Sequence, residues 1–300
     1  MPAITSLALR RLIGDATVRA GVPAFDPARD RTPLRLPAWD TTRPDLLATV
    51  TARVAIAGFT LVEADRPPRQ DDLLALADRL GLGEPFVPPL YRRPGTVQVA
   101  ASGVSRLSAA GVGADAPTHP ATSTVGQGWH VDGTLQELGE VRTSLLLCVR
   151  PAATGGESRL FNATAAFLDL AESDPAAAAA LMAPGVLART ATVNGCDDST
   201  TGPAFAVIDG QLLTRYARTH TDRWLPSAID DPGGLDRALV RLDELAQPGS
   251  PYYLQFTMSA GQGLVFANSR ICHGRAPYTD HPDQPRTLLR ALFTTDLTGR

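Results

Sequence analysis

Trp129-His130-Val131-Asp132 and, far along the chain, Ile271-Cys272-His273-Gly274-Arg275 are the stretches on which the reading of this sequence turns. In a strand, residues two apart point to the same side, so His130 and Asp132 project together while Val131 turns into the opposite layer. His273, from a distant strand, would close a set of two imidazoles and one carboxylate. Such a set occupies one face of an iron ion and leaves about three octahedral positions open for chemistry.

Between and around these motifs the composition narrows the choices. At 300 residues the chain can bury a core of enzyme size without disulfides. Its 26 Gly and 25 Pro, with 44% hydrophobic and 20% charged residues, favour many turns and a β-rich architecture over a helical bundle. A formal charge of −3 gives no electrostatic footprint for nucleic acid or for an anionic membrane. All 28 basic residues are Arg, so pyridoxal Schiff bases, class I aldolases and phosphate-binding P-loops are excluded for want of a Lys amine. Cys148, Cys196 and Cys272 are isolated, without zinc-ribbon or C-x-x-C spacing, and indicate a reducing compartment. Met1 to Ile13 is interrupted by Arg10 and Arg11 and lacks the core of a signal peptide. No run approaches the roughly 18 to 20 apolar residues of a membrane span. The expectation is a cytoplasmic protein with a small-molecule substrate.

Elements follow from periodicity. Pro44 to Ile56 and Gln70 to Leu80 have helical spacing, with Gly58 to Val62 a strand between them and residues 23 to 44 an irregular arm. Ser102 to Gly128, built of small residues and Pro, reads as a loop that is either a lid or a plain connector. Thr143 to Val149 and Ser158 to Phe161 read as strands around a Gly155-Gly156 turn, and Thr164 to Met182 as a helix broken or restarted at Pro175. Further strands are expected at Leu187 to Val193, Phe205 to Ile208, Leu212 to Ala217, Tyr252 to Met258, Gly263 to Ala267 and Leu288 to Thr294, with a helix over Asp236 to Ala246. The sum is one domain, mainly β with helical additions, in a closed or two-sheet core.

The H-x-D tripeptide, the Gly155-Gly156-Glu157-Ser158 turn and a distal His followed by Arg286-Thr287-Leu288-Leu289-Arg290 together resemble the Fe(II)/2-oxoglutarate-dependent dioxygenases of the taurine dioxygenase group, clavaminate synthase-like hydroxylases included, over about residues 90 to 297. The resemblance implies a double-stranded β-helix, or jelly roll, with residues 1 to 89 packed on it. It implies His130, Asp132 and His273 as iron ligands, with 2-oxoglutarate and O₂ as co-substrates. Ser158 stands where the family has Thr, and with Arg286 it would hold the far carboxylate of 2-oxoglutarate. A guanidinium fork suits that task, because it gives a carboxylate two charge-assisted hydrogen bonds in one orientation. The presence of Asp132 argues against the related halogenases, which have Gly or Ala there.

If 286, 288 and 290 share a strand face, Arg290 reaches the same pocket, toward substrate or the metal-binding end of the co-substrate. Gln127, Arg215 and Asn194 are further candidate substrate contacts. His220 could line a pocket, His119 and His281 sit in Pro-containing loops, and Trp129 and Phe266 read as core packing beside the metal strands. No basic cleft or aromatic stacking series is evident, so the expected reaction is hydroxylation of a small polar metabolite such as an amino acid or natural-product building block. The same ligand set also suits a zinc hydrolase, which would not need Arg286, or a jelly-roll binding protein without catalysis.

Overall fold

Leu145 and Leu147 face one apolar layer and Leu146 and Cys148 another, so the strand that carries them must be covered on both sides. The computed structural model, which describes residues 24–93, 98–109, 122–191 and 196–297, shows what covers it. This strand, β6 (Thr143–Arg150), lies in a seven-stranded sheet. The order is β1 (Leu34–Arg35), β2 (Phe59–Glu63), β15 (Gln262–Ala267), β6, β18 (Thr287–Phe293), β4 (Ser105–Leu107) and β3 (Gln98–Val99). Only the β1–β2 pair is parallel.

A four-stranded antiparallel sheet, β14 (Tyr253–Phe256), β8 (Ser158–Phe161), β16 (Cys272–Arg275) and β5 (Gln127–His130), packs against it. Leu160 and Leu254 of the small sheet share an apolar cluster with Leu146, Leu264 and Leu288 of the large one. Short pairs complete the β structure. β7 (Thr154–Gly155) pairs with β17 (Tyr278–Thr279), β9 (Leu187–Thr190) lies between β10 (Ser199–Gly202) and β13 (Asp222–Trp224), and β11 (Phe205–Ile208) pairs with β12 (Gln211–Thr214).

Helices close both outer faces. After the single-turn α1 (Pro27–Asp30), α2 (Pro44–Ala57) and α3 (Gln70–Arg79) bury Val50, Val54, Leu73 and Leu76 against Leu145, Val265 and Phe293 of the large sheet. On the other side α4 (Ala163–Ser173), α5 (Pro175–Leu181) and α6 (Pro232–Leu245) bury Phe167, Leu181 and Leu242 with Phe161, Cys272 and Val131 of the small sheet. The expected mainly β core with helical additions is therefore a two-sheet sandwich with helices outside it. Among the described residues no helix is long and apolar enough to cross a membrane.

The helix expected over Thr164 to Met182 is two helices. Pro175 starts α5 at its first turn, and Asp174 caps it by accepting the Ala177 N–H at 3.0 Å. The expected loop from Ser102 to Gly128 differs more, because Ser105–Leu107 is a strand paired with β18 and Gln127 already begins β5. Residues 110–121 of that stretch lie outside the described residues. The expected strand Leu212 to Ala217 ends at Thr214, after which the chain bends to the edge of β5, where the Arg218 N–H donates to the Trp129 carbonyl at 2.7 Å.

That edge contact depends on Gly128, where a Cβ would lie 2.2 Å from the Arg218 carbonyl oxygen. Gly128→Ala must push the two backbones apart beside His130. Overpacking of this kind costs roughly 1–3 kcal/mol. A lowered denaturation midpoint with an unchanged slope is the expected result, and an unmoved midpoint would show that the contact relaxes freely.

Candidate metal centre and active site

β16 and β5 are hydrogen-bonded neighbours, and the register sets His273 directly opposite His130. Their rings stand 4.2 Å apart, centre to centre. Asp132 lies two residues past the end of β5, yet its carboxylate and the two imidazoles bring ligand atoms within 4.8 Å of one another. Val131 between them turns into the helix-covered layer, as the two-residue period requires. No other group of His, Cys, Asp or Glu comes together in this way among the described residues.

Each ligand is held by its surroundings. The His130 Nδ1 lies 2.9 Å from the Gly128 carbonyl, a contact that places a proton on Nδ1 and leaves the Nε2 lone pair for a metal. The His273 ring packs edge-on to Phe266 at 5.0 Å. Asp132 is 4% exposed and engaged on every side. Arg290 donates from Nη1 to its Oδ1 at 2.6 Å, Ser144 donates to Oδ2 at 3.0 Å, and its own N–H donates to Asn268 Oδ1 at 2.8 Å. Asn268 returns a bond from Nδ2 to the Asp132 carbonyl at 3.1 Å.

Burial alone would raise the Asp132 pKa, but Arg290, His273 and His130 outweigh it and hold the carboxyl at about 2. Burial, then the neighbouring His130, pushes His273 down to about 3, and burial lowers His130 as well. The site therefore offers two neutral imidazoles and an ionised carboxylate, the protonation states a divalent metal requires. The donor set fits ferrous iron on this count and on its open face.

The centre opens into a cavity of about 410 Å³ between the two sheets. Arg286 and Arg290 both line it, as does Leu288, so the shared strand face expected of them is present. Ser158 and Gln127 line it too, the first opposite Arg275 in the β8–β16 register and the second opposite Arg275 in the β5–β16 register. The Gly155 turn can pack beside them because a Cβ there would meet the Pro277 carbonyl at 2.3 Å, with φ at +71°.

Arg215 is placed elsewhere. It is not among the cavity-lining residues, and its guanidinium lies against Gly202 and the Thr200 carbonyl, because the chain has left strand geometry after Thr214. Asn194 lies outside the described residues, as does His119. His281 is exposed as expected, whereas exposed His220 lines the cavity rim.

Several lining residues had no sequence signal. Tyr91 stacks on Arg290, whose guanidinium carbon is 5.2 Å from its ring centre. Arg189 pairs with Asp222 at 3.4 Å and donates to the Val131 carbonyl at 3.2 Å, bracing the metal-bearing segment from β9. Among the described residues six arginines line the cavity (159, 189, 218, 275, 286 and 290), against one acid, Asp132. The expectation that no basic cleft exists is thus corrected.

The family model described as taurine catabolism dioxygenase TauD, TfdA family, matches residues 18–292. The chain belongs to the TauD/TfdA dioxygenase family. Members of it are Fe(II)- and 2-oxoglutarate-dependent oxygenases that use O₂, which sets aside the zinc-hydrolase and binding-protein readings. Within the TauD/TfdA family the chain is 44% identical over 254 residues to a uridine-5'-phosphate dioxygenase of Amycolatopsis sp., covering 83% of this chain and 89% of that protein. It is 39% identical over 225 residues to one of Streptomyces sp., covering 74% and 78%. An asparagine oxygenase solved with Fe(II), hydroxyasparagine and succinate shares the fold, with a TM-score of 0.62, 17% identity and coverage of 97% and 91%. A taurine dioxygenase from Burkholderia xenovorans does so at 0.58, with 17% identity and coverage of 85% and 84%.

The depressed pKa of His273 makes a stability prediction for the metal-free protein. Between its ordinary value of 6.5 and about 3 the unfolded chain holds the proton and the folded one does not. Stability is therefore complete above about pH 6.5 and falls as pH drops toward 3. His273→Gln should flatten that part of the curve of unfolding free energy against pH, and an unchanged curve would contradict the assignment.

Proposed function

We propose that this TauD/TfdA oxygenase acts on a pyrimidine nucleoside 5'-monophosphate of the uridine 5'-phosphate class. The observation that carries the proposal is the set of six arginines that, with a single acid, line the cavity among the described residues, a lining suited to a substrate and a co-substrate that are both anionic. The two uridine-5'-phosphate dioxygenases, at 44% and 39% identity, support the same class.

In this reading His130, Asp132 and His273 hold Fe(II). The chemistry that such an iron supplies is oxidative decarboxylation of 2-oxoglutarate to succinate and CO₂, coupled to hydroxylation of an unactivated C–H bond. The chain itself binds, orients and excludes water. Arg286 and Ser158, both buried at the cavity wall, take the far carboxylate of 2-oxoglutarate. Arg290 keeps Asp132 ionised with Nη1 and presents the rest of its guanidinium, beside Tyr91, to the cavity. Gln127, the first residue of β5, lies on the substrate approach, and Leu146, Leu264 and Leu288 give the cavity a dry apolar wall. Free thiols at Cys148, Cys196 and Cys272 support a cytoplasmic location.

With Fe(II), O₂ and 2-oxoglutarate, uridine 5'-phosphate should drive succinate release, and uridine should not. Equal stimulation by uridine, or stimulation by an amino acid in its place, would sink the substrate assignment. Arg286→Ala removes a charged hydrogen-bond pair worth about 1.5–3 kcal/mol, so KM for 2-oxoglutarate should rise roughly 10- to 100-fold. His130→Ala should lose bound iron by metal analysis, and full retention would remove it from the ligand set.

A further inference from the structure

At the end of the cavity that holds Arg286, two arginines meet on one aromatic ring. The guanidinium carbon of Arg275 is 4.7 Å from the ring centre of Tyr278, and that of Arg286 is 5.2 Å away. Both arginines are buried and line the cavity, and neither has a carboxylate at ion-pair distance among the described residues. Asp280 lies near, but its Oδ1 accepts the backbone N–H of Arg286 at 2.7 Å. Two buried like charges are unfavourable unless something offsets them. The π face of Tyr278 supplies part of that offset, and the pair is suited to an anion that would supply the rest.

Arg275 also reaches in the other direction. Its Nη2 donates to the carbonyl oxygens of Ser123 and Val125, both at 2.6 Å. The Tyr278 N–H donates to the Thr124 carbonyl between them at 3.0 Å. Three consecutive carbonyls of the segment entering β5 are thus held by two residues of the β16–β17 turn. The segment continues into Gln127 and then His130, so whatever holds it also holds the approach to the metal ligands. A lysine has one nitrogen to divide between the ring and the carbonyls, whereas a guanidinium keeps its carbon over the ring while Nη2 serves both carbonyls.

We propose that Arg275 is a positioning residue for the co-substrate: through Tyr278 it fixes the Arg286 guanidinium, through Ser123 and Val125 it fixes the segment entering β5, and it supplies the second positive charge of the 2-oxoglutarate subsite. The inference rests on the reading of Arg286 as the co-substrate's carboxylate partner. Arg189 and Arg218 are held by Asp222 and Asp243 and, among the described residues, share no hydrogen bond or ion pair with this cluster, so a change at Arg275 leaves them in place.

The test is 2-oxoglutarate binding to anaerobic Fe(II)-loaded protein by calorimetry, which needs no primary substrate, together with KM values for both substrates. Arg275→Lys keeps the charge but loses the fork, and should weaken 2-oxoglutarate binding about ten-fold while KM for uridine 5'-phosphate moves less than about two-fold. Tyr278→Leu should reproduce this loss, and Tyr278→Phe, which keeps the ring, should bind as the parent does. The proposal is overturned if Arg275→Lys and Tyr278→Leu leave 2-oxoglutarate binding unchanged, or if both KM values rise together. Arg286→Ala separates the two levels. If it too leaves binding unchanged, the reading of Arg286 has failed; if it alone weakens binding, only the role of Arg275 has.

Discussion

A carboxylate taken out of water and answered by one guanidinium is the constraint from which this site is built. Asp132 follows a strand of the small sheet, Arg290 lies on a strand of the large one, and their 2.6 Å contact ties the two across the cavity. Removing either partner of a buried pair leaves an uncompensated charge, at a cost of about 3–5 kcal/mol. Ser144 and Asn268 occupy other hydrogen-bonding positions around Asp132, so its orientation is settled before any metal binds. Preorganisation of this kind means that the protein has already met the expense of assembling the donors when the ion arrives.

The same logic extends to the cavity wall. Arg189 and Arg218 line the cavity but are each paired with a carboxylate, Asp222 and Asp243, that does not line it, so the acids that hold these guanidinium groups stand behind the surface a ligand meets. A chain with a net charge of −3 thus presents a cationic interior. Net charge reports on solubility and long-range steering, and says nothing of how charges are sorted between the inside and the outside of a fold.

Local chemistry is what the sequence made legible. His130 and Asp132 sit within one tripeptide and His273 follows from a motif with its own arginines, so the donor set is visible before any folding is considered. Arg286 and Arg290 follow from the strand period, and both reach the cavity although Arg286 precedes β18 and a bulge separates Thr287 from Leu288. Where the period ended early, the reading failed with it: Arg215 follows the last residue of β12 and turned away from the cavity. Strand β4 was hidden in a stretch of small residues because its three positions are stabilised by pairing to β18, a partner far off in the chain. Asn268, Tyr91, Arg189 and the six-arginine wall were invisible for the same reason, since tertiary packing alone makes them neighbours.

Cys272 abuts the metal ligand His273 in sequence, but it points into the helix-covered layer, where its thiol donates to the Tyr216 carbonyl at 3.3 Å. Burial drives its pKa far up, and raises that of Cys148 to about 11. Oxidants attack the thiolate, which neither sulfur forms at physiological pH. In an oxygen-activating protein these two sulfurs are thereby kept from sulfenic acid formation by where a strand's alternate residues face.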